Sequence, residues 1–233
     1  MNGRGRILIL NPNSSAKVTD VIEAGIAGMR GIVAHDIDVI CLPEGPLGIA
    51  TQADADRAAV LVQEKIRTEP ADAYIISCFS DPGLLGSREE HAGTGRIILG
   101  CGESAILHAL THGDKFGIIA LSPLSCIRQA RIIRMMGLTQ RYVGSQSIDA
   151  SAESAATLAV AARMIQAGRQ LMDKGANTVI LGCAGMAHFC PILESALGIP
   201  VMEPTIEALA MAMGRMGLRQ ARAREEPQHA QRS

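Results

Sequence analysis

Two kinds of segment alternate along the 233 residues of the chain. Short apolar runs, such as Ile7-Leu8-Ile9-Leu10 and Val179-Ile180-Leu181, are separated by longer stretches with helical spacing. A run that is apolar at every position has no face for solvent, the pattern of a parallel strand covered by helices on both sides. Eight strand candidates follow: Arg6–Leu10, Asp36–Leu42, Ala73–Cys78, Arg96–Gly100, Lys115–Leu121, Arg141–Ser145, Asn177–Cys183 and Ile199–Met202. Thr51-Gln52-Ala53-Asp54 has capping-box form and predicts a helix running to about Thr68. Ser151 to Lys174 predicts another, starting after Asp149 and stopping at Gly175, a natural left-handed cap. The alternation predicts an α/β fold with mainly parallel sheets flanked by helices.

The pattern also repeats. Leu10-Asn11-Pro12-Asn13-Ser14 is echoed by Leu121-Ser122-Pro123-Leu124-Ser125, and Tyr74-Ile75-Ile76-Ser77-Cys78 by Val179-Ile180-Leu181-Gly182-Cys183. Ile97–Gly100 leads to Glu103 as Ile199–Met202 leads to Glu207. The nearly constant offsets predict two similar lobes related by a pseudo-twofold, 1–112 and 113–218, with the last helix free to pack back on the first lobe. The polar segment 219–233 lacks periodicity and reads as a disordered tail.

Composition narrows the function classes. Hydrophobic residues make up 48% and aromatics 2%, so the core is aliphatic. Net charge is −1, and no basic stripe with interleaved aromatics offers a nucleic-acid footprint. Ile7 to Leu10 is too short for a signal peptide, and no later run suggests a membrane span. The expected place is the cytoplasm, where disulfides are rare. Six cysteines then need another explanation, and none forms a Cys-x-x-Cys pair.

Two of them sit in equivalent positions. Cys78 and Cys183 each close a strand candidate and enter a glycine-containing loop. Ligands of open α/β sheets lie beyond the carboxyl ends of the strands. Two such halves facing each other would set two thiols on opposite sides of one cleft. That suits stereoinversion at an acidic carbon, where one group removes a proton from one face and its twin returns one to the other. A free thiol has a pKa of about 8.5, so modest tuning leaves a thiolate usable near neutrality. Ser14, Ser80, Ser122 and Gly182 could cradle the oxygen that takes up the carbanion's charge. No metal or organic cofactor is then needed. The bland alternative is a pair of buried small hydrophobes.

Asn11-Pro12-Asn13-Ser14-Ser15, Cys78-Phe79-Ser80-Asp81-Pro82-Gly83-Leu84, Gly102-Glu103-Ser104-Ala105 and Leu181-Gly182-Cys183-Ala184-Gly185-Met186 together resemble the aspartate/glutamate racemase superfamily, and within it the hydantoin racemases, which include allantoin racemases. The resemblance implies two α/β lobes with the site between them, Cys78 and Cys183 as the acid–base pair, a small-molecule substrate and a homo-oligomer. The candidate substrate-binding set is Asn11, Asn13, Ser14, Phe79, Ser80, Ser122, Gly182, Ala184 and Gly185. Amino-acid racemases of the superfamily often read Cys-Asn-Thr and Cys-Thr-His at the two cysteines. Phe79-Ser80 and Ala184-Gly185 here lack those polar groups, which favours a less charged, ring-shaped substrate. Where hydantoin racemases commonly read Gly-Pro-x-Ser-Ile-Glu, this chain has Gly45-Pro46-Leu47-Gly48-Ile49-Ala50, and Glu203-Pro204-Thr205 replaces a more usual Asp-Gly turn.

The expected activity is racemisation of a 5-substituted hydantoin or related cyclic ureide, allantoin included. The alternatives are an aspartate or glutamate racemase, a decarboxylase, which needs only one of the two cysteines, and a non-catalytic binding protein. Gly100-Cys101-Gly102-Glu103-Ser104-Ala105 fits a loose dinucleotide pattern but reads better as a tight turn into a helix. His188 and Cys190 match no common zinc spacing. His91, His108 and His112 show no evident partner. Glu103 and Glu207 read as first-turn helix residues, and Met135, Met136, Met211, Met213 and Met216 as core or interface filling.

Overall fold

The computed structural model describes residues 4–150 and 160–230. Its strands form two four-stranded sheets, parallel throughout and identical in order. The first runs β2 (Asp36–Cys41), β1 (Arg6–Asn11), β3 (Ala73–Ile76), β4 (Ile97–Gly100); the second runs β6 (Tyr142–Ser147), β5 (Phe116–Ala120), β7 (Thr178–Leu181), β8 (Val201–Met202). Each expected strand is present within a few residues of its anticipated bounds.

The continuous apolar runs are explained by burial on both sides. Along β1, Ile7 and Ile9 face one cluster with Ile22 and Ile26 of α1 (Ala16–Arg30). Leu8 and Leu10 face another, with Val62 and Ile66 of α2 (Gln52–Thr68). All four are fully buried, so each contributes about 1.5–3 kcal/mol of transfer free energy. Thr51 and Asp54 complete the capping box of α2. The segment expected as a helix from 151 lies outside the described residues up to 159; α6 (Ala161–Asp173) carries the rest and stops before Gly175, whose φ is +92°.

The lobes exchange their last helices. The helix after β4, α4 (Cys101–His112), sends Ala105, Ile106 and Ala109 into a cluster with Ile118 and Ile180 of the second sheet. The helix after β8, α8 (Pro204–Ala230), sends Ala208, Leu209, Ala212 and Met216 against Ile7, Ile9 and Ile75 of the first. Each of these two core clusters therefore draws on both halves of the chain. The helix also continues to Ala230, through most of the segment read as a disordered tail. Ala, Arg, Gln and Glu are good helix formers, so a polar stretch without periodicity can extend an anchored helix. Arg219 ties it to the Gly95 carbonyl at 3.1 Å. Met216 is buried as expected; Met135 is instead 72% exposed at the end of α5 (Pro123–Met135). Among the described residues no helix is long and apolar enough to cross a membrane.

Candidate active site

The two cysteines leave their sheets at equivalent points. Leu10 pairs with Ile76, and Ile119 with Leu181. One further bond follows on each side: the Ser77 N–H donates to the Leu10 carbonyl and the Gly182 N–H to that of Ile119, both at 2.8 Å. Cys78 and Cys183 come next, two residues beyond the strands and not inside them as the apolar runs suggested. The register also makes Ile119 the counterpart of Leu10, so the sequence echo setting Leu10 against Leu121 is two residues out. The loop after β1 is that much longer than the loop after β5.

Both thiols line one cavity of about 60 Å³ between the sheets. Asn13, Phe79, Ser80, Gly182 and Ala184 of the expected set line it too. Asn11, Ser14, Ser122 and Gly185 do not, and each has a structural task instead. Asn11 is fully buried and donates to Asn13 Oδ1, the Ser15 carbonyl and Thr19 Oγ1. Ser14 is tied by its N–H to the Pro46 carbonyl. Ser122 caps α5 by accepting from the Ser125 N–H at 3.2 Å. Gly185, at φ +78°, donates its N–H to Glu203 Oε1 at 3.0 Å.

Carboxyls hold both cysteine loops. Asp81, three residues after Cys78, accepts from the Gly102 N–H at 2.9 Å and the Glu103 N–H at 2.7 Å. It thereby fills the start of α4, where a bound phosphate would otherwise be favoured, and the loose dinucleotide pattern has a structural explanation. Gly102 is needed there because a Cβ would lie 2.2 Å from the Phe79 carbonyl oxygen. In the second half the direction reverses: Glu203, at the start of α8, reaches to Gly185 and also accepts from the Ile206 N–H. Burial pushes Asp81 and Glu203 each up to about 7, against the opposing pull of those backbone donors. Glu103 and Glu207 do occupy first turns. Glu103 pairs with Arg88 and Glu207 with His108, a partner the sequence did not reveal.

The thiols themselves are less acidic than expected. Burial pushes Cys78 up to about 11 and Cys183 up to about 12. The anticipated tuning toward neutrality is thus overridden by desolvation, which penalises the charged form. The pair is not symmetric. Ser80 donors and the Arg128 guanidinium pull Cys78 down while Asp81 pushes it up, whereas Cys78 and Glu203 both push Cys183 further up. Donors beside Cys78 thus offset part of its desolvation, while the charges beside Cys183 add to its own.

Amide and guanidinium groups complete the cavity. Asn13 uses its Oδ1 on the Ser15 N–H, leaving the Nδ2 end for a ligand. Gln129 has its Oε1 held by Ser145 at 2.6 Å, so its Nε2 is turned toward Gly182. Arg128 is 8% exposed. The expected set did not include Val18, Ile49, Ser77, Leu121, Ser125, Arg128 or Gln129, which also line the cavity. Once α5 is placed after Ser122, positions 125, 128 and 129 share one helical face, and that spacing was the available signal.

Known proteins share this fold. The family model described as Asp/Glu/Hydantoin racemase matches residues 7–212. The chain belongs to the Asp/Glu/hydantoin racemase family. A hydantoin racemase of Paenarthrobacter aurescens is 32% identical over 214 residues, covering 89% of each protein. An allantoin racemase from Klebsiella pneumoniae superposes with a TM-score of 0.80 at 28% identity, covering 92% of this chain and 88% of that one. A glutamate racemase from Francisella tularensis subsp. tularensis SCHU S4 shares the fold, with a TM-score of 0.66 at 16% identity, covering 94% and 83%. The segment Gly45–Ala50, where this family member departs from the hydantoin racemase pattern, does reach the site: Ile49 lines the cavity and the Ala50 carbonyl accepts from Arg128.

Proposed function

We propose that this protein racemises 5-substituted hydantoins or related cyclic ureides, allantoin among them, by proton transfer between two thiols and without a cofactor. The observation that carries the reading is the pair Cys78 and Cys183, on equivalent loops of two like sheets, lining one cavity. For one enantiomer Cys78, as thiolate, removes the proton at the stereocentre from one face. The electron pair moves onto the neighbouring ring carbonyl, and the enolate oxygen takes hydrogen bonds from donors such as Asn13 Nδ2 and Gln129 Nε2. Cys183 returns its own proton to the other face. For the opposite enantiomer the roles exchange. The raised thiol pKa values favour a neutral resting pair, so only a small thiolate fraction acts at pH 7.

The cytoplasm suits this chemistry because thiols stay reduced there. We also assign a homo-oligomeric state, which rests on the family resemblance. The experiment follows circular dichroism of single-enantiomer 5-benzylhydantoin and allantoin with purified, reduced protein. Proton NMR in deuterated buffer runs in parallel. Loss of optical signal with deuterium at the stereocentre supports the reading. No change with either compound, nor with a 5-carboxyalkylhydantoin, rejects it and turns the test to aspartate and glutamate.

A further inference from the structure

The cavity holds a cation without an anion. Arg128 lies on α5, is 8% exposed and lines the cavity with both cysteines. Its Nη1 donates to the Ala50 carbonyl at 2.6 Å and its Nη2 to Ser125 Oγ at 3.3 Å. Its buried Nε has no partner, and among the described residues no carboxylate lies within ion-pair distance. Asp54, the acid nearest in effect, is engaged by the Ala50 and Thr51 N–H groups and the Thr51 hydroxyl. A desolvated guanidinium in this condition is costly unless something negative arrives.

Two candidates inside the protein fall short. The Cys78 thiolate would be a counter-ion, but desolvation holds that thiol at about 11, so it is protonated at rest. The bond to Ala50 is a latch between the lobes, yet it uses one of five guanidinium donors. What remains is an anion that comes with the substrate, and a planar carboxylate matches the guanidinium fork.

We propose that Arg128 is the specificity-determining residue of the cavity and receives the carboxylate of a cyclic ureide with an acidic side chain at its stereocentre. This rests on the racemase reading above. It also revises the expectation of a weakly charged substrate, which follows from the residues beside the cysteines and takes no account of α5.

The test compares single enantiomers of 5-(2-carboxyethyl)hydantoin and its neutral isostere 5-(2-carbamoylethyl)hydantoin, by deuterium exchange at C5. The wild type is expected to favour the carboxylate by at least about tenfold in kcat/KM, chiefly through KM. Arg128→Gln should abolish that preference, and Arg128→Lys should retain part of it. Arg128→Gln also removes the lobe latch; if it does not fold, the wild-type preference and the lysine variant still decide. Equal use of the two compounds by the wild type overturns the proposal. So does a fall in both rates by the same factor in either variant, the result for a latch or for a group serving only the enolate. Exchange of neutral hydantoins without the preference removes the inference alone. Absence of exchange with every hydantoin removes the racemase reading and the inference with it.

Discussion

Gly102→Ala sets two opposing effects against each other at the base of the Cys78 loop. Gly102 is the second residue of α4, and alanine is the better helix former by up to about 1 kcal/mol. Its Cβ, however, would stand 2.2 Å from the Phe79 carbonyl oxygen, 3.0 Å from the carbonyl carbon and 3.2 Å from Asp81 Oδ2. The first two are backbone atoms and cannot rotate away, so the loop must retreat by more than about 1 Å to reach ordinary contact. Overpacking costs about 1–3 kcal/mol, and a backbone clash this close belongs at the upper end. The expected net loss is about 2 kcal/mol, or about 4–8 °C in Tm for a chain of this size. Phe79 follows Cys78 directly, so the thiol moves with it, and a shift of about 1 Å in a reacting group costs roughly 100-fold in kcat. Gly28, in α1, is the control: a Cβ there meets nothing within 4 Å. Gly28→Ala should raise Tm by about 1–4 °C and leave racemisation unchanged. Thermal melts and polarimetric kcat on both variants check this. A Gly102→Ala protein as stable as Gly28→Ala, with kcat within threefold of wild type, would refute the reasoning.

Other outcomes follow from the same geometry. Gly182→Ala places a Cβ 2.7 Å from the Ile119 carbonyl and 2.5 Å from Gln129 Nε2, so kcat should fall by at least about tenfold and stability by about 1–3 kcal/mol, read by urea titration. Alkylation of Cys78 by iodoacetamide should rise about tenfold per pH unit from 7 to 9 without levelling, since its thiol titrates near 11; a plateau at pH 8 would contradict the buried environment. Glu203 keeps its proton in the folded state up to about 7, while the unfolded chain loses it near its ordinary value of 4.5. Between those values the folded state binds more protons, so this carboxyl's stabilising contribution is complete at low pH and fades as pH rises through 7. Glu203→Gln should therefore gain on the wild type in melts taken from pH 5 to pH 8; a gap that moves the other way would contradict the assignment.

Much of this architecture is legible in the amino-acid sequence. Strands buried on both faces, such as Ile7–Leu10, carry an unambiguous pattern, and the eight candidates correspond to the eight strands of the two sheets. The pair Cys78 and Cys183 is legible because the duplication repeats their surroundings. Three things are not. The packing of α4 against the second sheet leaves no periodic trace, because an amphipathic helix does not name the sheet it will cover. Arg128 and Gln129 lie on a helix whose cavity-facing side is set by tertiary packing, and a charged residue on a helix ordinarily reads as solvated. The thiol acidity depends on desolvation, which a local motif does not encode. The turn residues Asn11, Ser14 and Ser122 suggest substrate contact because caps and ligand contacts use the same side chains.

The central claim is that two thiols serve opposite faces of one carbon. Its most direct test is deuterium exchange at C5 by Cys78→Ser and Cys183→Ser, each given the separate enantiomers of a hydantoin that the wild type racemises. Both variants should lose racemisation, while each still exchanges the proton of one enantiomer and the two differ in which one. Full racemisation by either variant, or exchange of the same enantiomer by both, would contradict the claim.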